Sequence, residues 1–292
     1  MRKAYLQMHI AIVLWGFTGI FGKAIEMNAI MIVWYRMIIS ALALIPFMHH
    51  HGHFKLPDKK RLAALSLTGC VVCIHWLLFY GSIKASNVSI ALSCFSSVSL
   101  FSALLEPLLF KQKLNKNNAL LAVLVMAGIY IIFAFQKLYA AGIVLALLSA
   151  FAGAFFTILN KKYVASDEPS AVTFVELISG YVFLSLVLPV LLPAFDYSFQ
   201  WPSITDWLWL LLLSVVCTSV AFTLSLEALK KISAFTMNLS VNLEPLYSIV
   251  LAILIFKENK LLNTGFYVGA AIVISSVFVH SYLQYRERQS VR

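Results

Sequence analysis

An acid followed by a proline stands inside an apolar run twice in this chain, as Glu106-Pro107 in "LLEPLLFKQ" and Glu244-Pro245 in "NLEPLYSIV". A carboxyl in such surroundings must face protein, line a wet cavity or carry a proton. Proline removes a backbone donor and frees a carbonyl one turn back, at Val241 in the second case, so Pro245 is expected to break a helix. Helical spacing sets Ser233, Met237, Ser240, Glu244, Tyr247 and Ser248 on one stripe, a set of hydroxyls around an acid that suits a polar ligand or a proton. The serines alone suit packing between helices equally well. Other polar groups interrupt apolar runs. Arg36 in "VWYRMII" and Glu176 in "FVELISG" are opposite charges at comparable depth, able to form a buried ion pair or to reach toward opposite surfaces. His75, near Trp76 and Tyr80, is a candidate proton carrier or ligand contact, or a satisfied neutral histidine. Trp15, with Phe17 and Thr18 nearby, is a candidate cavity wall. Glu106, close to Lys111 and Lys113, is a gating candidate or one half of a structural ion pair.

The elements holding these groups follow from composition. Of 292 residues, 61% are hydrophobic and 12% charged, with a mean hydropathy of +0.89. A soluble domain carries roughly twice that charge fraction, so the solvent is largely lipid and the fold class is all-α integral membrane. A spanning helix takes about 20 apolar residues. Ten such segments are predicted, at roughly 5–25, 28–48, 62–83, 87–110, 117–135, 139–160, 170–193, 205–229, 232–256 and 263–283. Arg2 and Lys3 resemble a signal n-region, but the first apolar run is long and no A-x-A site follows, so a retained first helix is expected.

The net charge of +10 is read as topology rather than nucleic-acid binding. With both termini placed in the cytoplasm, Lys23, Lys84, Lys137, Lys257 and Lys260 fall outside, Arg36 falls within a span, and every other lysine and arginine falls inside. Cys70, Cys73, Cys94 and Cys217 all lie in predicted spans, where a disulfide framework is not expected. The histidines of "HHHGHFK" lack a matching carboxylate cage, so no metal is predicted. No cofactor motif or P-loop lysine is present, and neither a catalytic nucleophile nor a zinc-protease motif stands out.

Shifted by 146 positions, residues 65–114 fall on 211–260 without a gap, and Leu100, Ser102, Phe110 and Lys111 meet Leu246, Ser248, Phe256 and Lys257. Further upstream an offset of 134 aligns Leu14, Phe17, Gly19 and Phe21 with Leu148, Phe151, Gly153 and Phe155. Two five-helix repeats are expected, 1–136 and 137–292. Five is odd, so the second enters the membrane from the opposite side, giving an inverted repeat with a site near the midplane. In this register Glu244 falls on Val98 and Glu106 on Ala252, so the two Glu-Pro pairs are not equivalents. They lie about 12 Å apart along equivalent helices.

Ten helices as five plus five, "NLEPLYSIVLAILIFKE" and the preceding "AFTLSLEALKK" resemble the EamA family of the drug/metabolite transporter superfamily over essentially the whole chain. Pro245 and Glu258 match the family's proline and glutamate, with Lys257 in place of a glycine. In the first half Ser99 stands where the proline belongs and Lys111-Gln112 replaces Gly-Glu. The resemblance implies a secondary transporter of a small metabolite or drug in the bacterial inner membrane, exporting by alternating access, with protons taken up at Glu244 as the candidate coupling ion. The rivals are an intramembrane enzyme and a membrane interaction protein without transport activity. The expected partners are a small-molecule substrate and the lipid bilayer, and not nucleic acid. Gly265-x-x-x-Gly269 is a candidate homodimer seat, with internal packing its commoner use.

Overall fold

The computed structural model describes residues 1–53, 58–133, 139–165, 167–248 and 264–290, and among them there are helices and no strand. The helices are α1 (Arg2–Trp15), α2 (Thr18–Ala24), α3 (Ala29–His51), α4 (Lys59–Ala85), α5 (Val88–Phe95), α6 (Val98–Leu109), α7 (Lys116–Phe133), α8 (Ala140–Tyr163), α9 (Pro169–Ala194), α10 (Ile204–Leu211), α11 (Ala221–Leu229), α12 (Ala234–Val241) and α13 (Thr264–Ser290). A π-helical segment, Leu212–Val220, joins α10 to α11. Among the described residues, six stretches are long and apolar enough to cross a membrane: Arg2–Gly22, α3, α4, α8, α9 and Ile204–Leu229. Val98–Leu109, Lys116–Ile131 and Tyr267–His280 are shorter apolar helices. Six of the ten expected spans thus meet the length and composition of a membrane helix within the described residues. The rest of the ninth expected span, and the 257–260 loop after it, lie outside the described residues.

Three of the expected helices arrive in pieces. The interruptions fall at Gly16-Phe17, Ser96-Ser97 and Asn242-Leu243, and each tightens into i→i−3 bonding: Phe17 N–H to Leu14 at 3.2 Å, Ser97 N–H to Cys94 at 3.1 Å, Leu243 N–H to Ser240 at 3.0 Å. Hydroxyls that bond the preceding turn favour two of these sites, Thr18 to the Trp15 carbonyl at 2.7 Å and Ser97 to the Cys94 carbonyl at 2.7 Å. At the third, Pro245 withholds the N–H that Val241 would otherwise receive. Pro245 sits in the first turn of the next helical stretch, where a missing donor is tolerated, so the break lies two residues before it. The offset of 146 carries the N-cap Asn87 of α5 onto the N-cap Ser233 of α12, and Ser96 onto Asn242.

Polar contacts gather at the two ends of the bundle. At one end Arg61 pairs with Asp167 at 2.6 Å and donates to the Tyr163 carbonyl, Lys161 donates to the Leu229 carbonyl at 2.6 Å, and Lys230 lies near Glu168 and Glu227. At the other end Gln200 accepts from the Asn28 backbone and side chain at 2.8 Å each, Asp206 accepts from the Glu26 backbone at 2.9 Å, and Lys84 donates to the Ile25 carbonyl. The bundle between them is held by close helix packing. A Cβ built on Gly69 of α4 would strike the Glu176 backbone of α9, and one on Gly180 would meet the Gly69 carbonyl at 2.7 Å. Gly269 is used internally: a Cβ on Gly128 would meet its carbonyl at 3.0 Å, which packs α7 on α13.

Candidate functional site

A cavity lies between α1, α2, α3, α4, α5, α6, α8, the π segment, α11, α12 and the helical turn that opens at Glu244. Glu244, Arg36, His75 and Trp15 line it, as do Thr18, Trp76 and Asn160. Ser240, Tyr247, Ser248 and Tyr80 are not on its wall. The expected stripe fails for a physical reason. It assumes one unbroken helix, and the turn at Asn242-Leu243 changes the phase between Ser240 and Glu244. Ser248 instead donates to the Gly16 carbonyl at 2.6 Å, beside the interruption between α1 and α2. Phe17 stacks on Phe21 at 5.7 Å and belongs to the core packing rather than to the wall.

Glu244 opens the helical stretch after that turn and is 5% exposed. Thr18 Oγ1 lies 3.4 Å from its Oε1, a long contact that leaves the carboxyl open to the cavity. Arg36, 4% exposed, is held by other partners. Its Nε donates to Thr218 Oγ1 at 2.7 Å, its Nη1 donates to the Tyr80 hydroxyl at 3.0 Å, and its guanidinium carbon sits 3.8 Å from the centroid of the Trp76 ring. Planar stacking on an indole suits a weakly hydrated guanidinium. The π segment makes this possible. Its i→i+5 winding is seen also in the Thr218 hydroxyl, which donates to the Leu213 carbonyl five residues back at 2.8 Å. Ser40 of α3 donates to the Ser214 carbonyl of the same segment at 2.9 Å.

The proposed Arg36–Glu176 ion pair does not form: Arg36 bonds Thr218 and Tyr80, and Glu176 Oε2 accepts from Asn160 Nδ2 at 3.3 Å. Equal depth in sequence register does not make two helix faces meet. His75 Nδ1 lies 2.9 Å from both the carbonyl and the hydroxyl oxygen of Ser149 on α8, which sets the ring against Phe95 and Phe156 at the cavity wall. Thr218, Asn160 and Asn238 are wall residues that sequence reasoning passed over. Their only signal is a hydrogen-bonding side chain in an apolar span, which many packing residues share.

Glu106 is neither paired with Lys111 nor with Lys113, both of which are exposed. Its carboxyl accepts from the backbone of Ala234 at 3.1 Å and Phe235 at 2.7 Å, capping the N-terminus of α12. The orphan donors and positive end of a helix explain the choice. The first Glu-Pro pair thus clamps the short helix that leads to the second. Glu106→Ala is expected to cost about 2 kcal/mol by leaving two buried N–H groups without acceptors. Glu106→Gln, which keeps one acceptor, should cost less. Thermal melting in detergent reads the order, and equal melting of both variants and the parent would refute the clamp. Among the described residues no group of three His, Cys, Asp or Glu side chains converges as a metal site.

The sequence matches the EamA-like transporter family over residues 2–134 and again over 140–282. The chain belongs to that family. This EamA-like protein is a multi-pass membrane transporter and not an enzyme. It is 23% identical over 257 residues to "Uncharacterized transporter YxxF" of Bacillus subtilis (strain 168), covering 85% of this chain and 80% of that one. It is 21% identical over 280 residues to an "Uncharacterized transporter" of Archaeoglobus fulgidus, covering 96% of each. A crystal structure with 14% identity superposes with a TM-score of 0.81 over 98% of this chain and 99% of that one, a likeness of fold. The cavity takes wall residues from both matched stretches, Arg36 and His75 from the first and Asn160 and Glu244 from the second.

Proposed function

We propose that the cavity is the substrate site of a secondary transporter working by alternating access between two inverted five-helix halves, 1–136 and 137–292. The observation that carries this reading is that Arg36 and Glu244, a buried guanidinium and a buried carboxyl from different halves, line the same cavity. A small polar metabolite or drug would set its polar groups against these two poles and its body against Trp15, Trp76 and Phe222. Arg36 is pre-oriented by Thr218 and Tyr80, so little ordering accompanies binding. Glu244 has a single long contact and is free to trade a proton for a ligand group. Export from the cytoplasm, with protons moving the other way through Glu244, is the direction we favour.

The proposed membrane is the bacterial inner membrane, with both termini and the Arg61–Asp167 end of the bundle in the cytoplasm. The lysine and arginine asymmetry supports this placement. In a cysteine-free background, Ser198→Cys is expected to react with an impermeant thiol reagent added outside intact cells, and Asn115→Cys to react only after lysis; both positions are exposed. The reverse pattern would overturn the orientation, and labelling of both from outside would overturn the inverted arrangement. Transport itself is tested in proteoliposomes with compounds found by their ability to raise the melting temperature of the purified protein. A compound that raises it equally in wild type and in Arg36→Met would place its binding away from this cavity.

A further inference from the structure

Glu176 is 0% exposed two turns into α9, and its Oε1 has no hydrogen-bond partner among the described residues. Asn160, one turn from the end of α8 and also 0% exposed, donates Nδ2 to Glu176 Oε2 at 3.3 Å, and its Oδ1 has no partner either. The two unpartnered atoms belong to the same two touching side chains. An ionised carboxylate with one such donor is expensive at this burial, typically several kcal/mol. A carboxylic acid is different. Its O–H matches the unpartnered amide oxygen, and its carbonyl oxygen matches the amide N–H already in place. Acid and amide then close a ring of two hydrogen bonds, and both orphans disappear.

We propose that Glu176 and Asn160 form a proton-binding site within the bundle, separate from Glu244, in which the Glu176 carboxyl holds a proton and donates it to the Asn160 amide oxygen. Among the described residues, no cation on the neighbouring helices bonds or pairs with Glu176. On α3, Arg36 bonds Thr218 and Tyr80. On α4, Arg61 pairs with Asp167, His75 with Ser149 and Lys84 with the Ile25 carbonyl, while Cys70 and Cys73 are free thiols. On α8, Lys161 bonds the Leu229 carbonyl and Lys162 lies over Tyr163. On α11, Glu227 lies 3.5 Å from Lys230. None of these supplies a counter-ion to Glu176. Asn160 also lines the central cavity, so the same amide joins the proton site to the ligand space. A ligand that takes the amide from the cavity side breaks the O–H to oxygen bond.

Infrared difference spectroscopy of the purified protein in detergent, between acidic and alkaline buffer, tests this without a substrate. The band of protonated carboxylic acids should contain a component that is present in wild type, lost in Glu176→Gln and retained in Glu244→Gln, which removes only the component of Glu244 itself. The Glu176 component should move to higher frequency in Asn160→Leu, where the hydrogen bonds are lost. Glu176→Gln should melt at or above the wild-type temperature, because an amide pair with Asn160 makes the same two bonds. A folded Glu176→Gln protein with the signal unchanged would overturn the proposal. So would failure of that variant to fold, since the paired amide reproduces the protonated state. A sodium-dependent rise in melting temperature that is lost in Glu176→Gln would assign the pair to a metal cation instead.

Discussion

Glu244→Gln protein is expected to insert and fold but to lose transport driven by a pH gradient, by at least about tenfold, the equivalent of 1.4 kcal/mol at the rate-limiting step. Glutamine keeps the volume of the side chain and can still accept from Thr18, whose contact with Glu244 is 3.4 Å long. It cannot take up or release a proton. The residue begins a helical stretch at the wall of the cavity, with Arg36 near enough to act on it through space. In the proposed mechanism, a carboxyl at this place is the group whose charge would alternate as the cavity alternates between faces. Counterflow of substrate without a pH gradient should survive in Glu244→Gln if the acid serves the proton alone, and fall with it if the substrate needs the negative charge. Full gradient-driven transport by this variant would remove Glu244 from the coupling. The Glu106→Gln protein, altered at a helix cap rather than in the cavity, should keep its pH response.

Gly69→Val is expected to destabilise the fold by about 3 kcal/mol or more, the upper part of the range for forced overpacking. The reason is backbone against backbone. A Cβ at Gly69 would come within 2.8 Å of the Glu176 Cα and 2.9 Å of its carbonyl carbon, and neither can move aside as a flexible side-chain tip would. The contact of Gly180 with the Gly69 carbonyl means that α4 and α9 also touch one turn further along α9. Gly81→Ala on the same helix is the control. Its Cβ would meet only Leu145 Cδ1 at 3.6 Å, an ordinary contact. Alanine is also the better helix former by up to about 1 kcal/mol. A lower melting temperature for Gly69→Val, with Gly81→Ala unchanged or higher, is the expected result. Equal melting of the two variants would show that α4 and α9 do not approach this closely.

Several features were legible in the residues alone because they depend on local chemistry. An apolar excess with few charges forces a membrane solvent, whatever the packing. Helical stretches lie near each expected position because about 20 apolar residues in lipid have few ways to satisfy their backbones other than a helix. The 146-residue offset predicts that caps and interruptions recur, and Asn87 with Ser233, and Ser96 with Asn242, do recur. Glu244 was legible as a candidate because an acid in an apolar run is costly wherever it points, and it does line the cavity.

Partner choice was not legible, because it is made over long separations by how the helices turn against one another. Glu106 has lysines five and seven residues away, yet its acceptors go to a helix terminus 128 residues on, since a bare helix end in the bundle offers two aligned donors. Arg36 meets Thr218 rather than Glu176 because the π winding, which apolar periodicity does not encode, changes which face of its helix reaches α3. The stripe through Ser240 and Ser248 was lost to a single tight turn that shifts everything beyond it in phase. The composition of the chain determined that it lives in lipid and carries an acid in its depths. Only the tertiary structure decided that this acid shares a cavity with Arg36, because that cavity exists where helical segments from both matched stretches fail to fill the space between them.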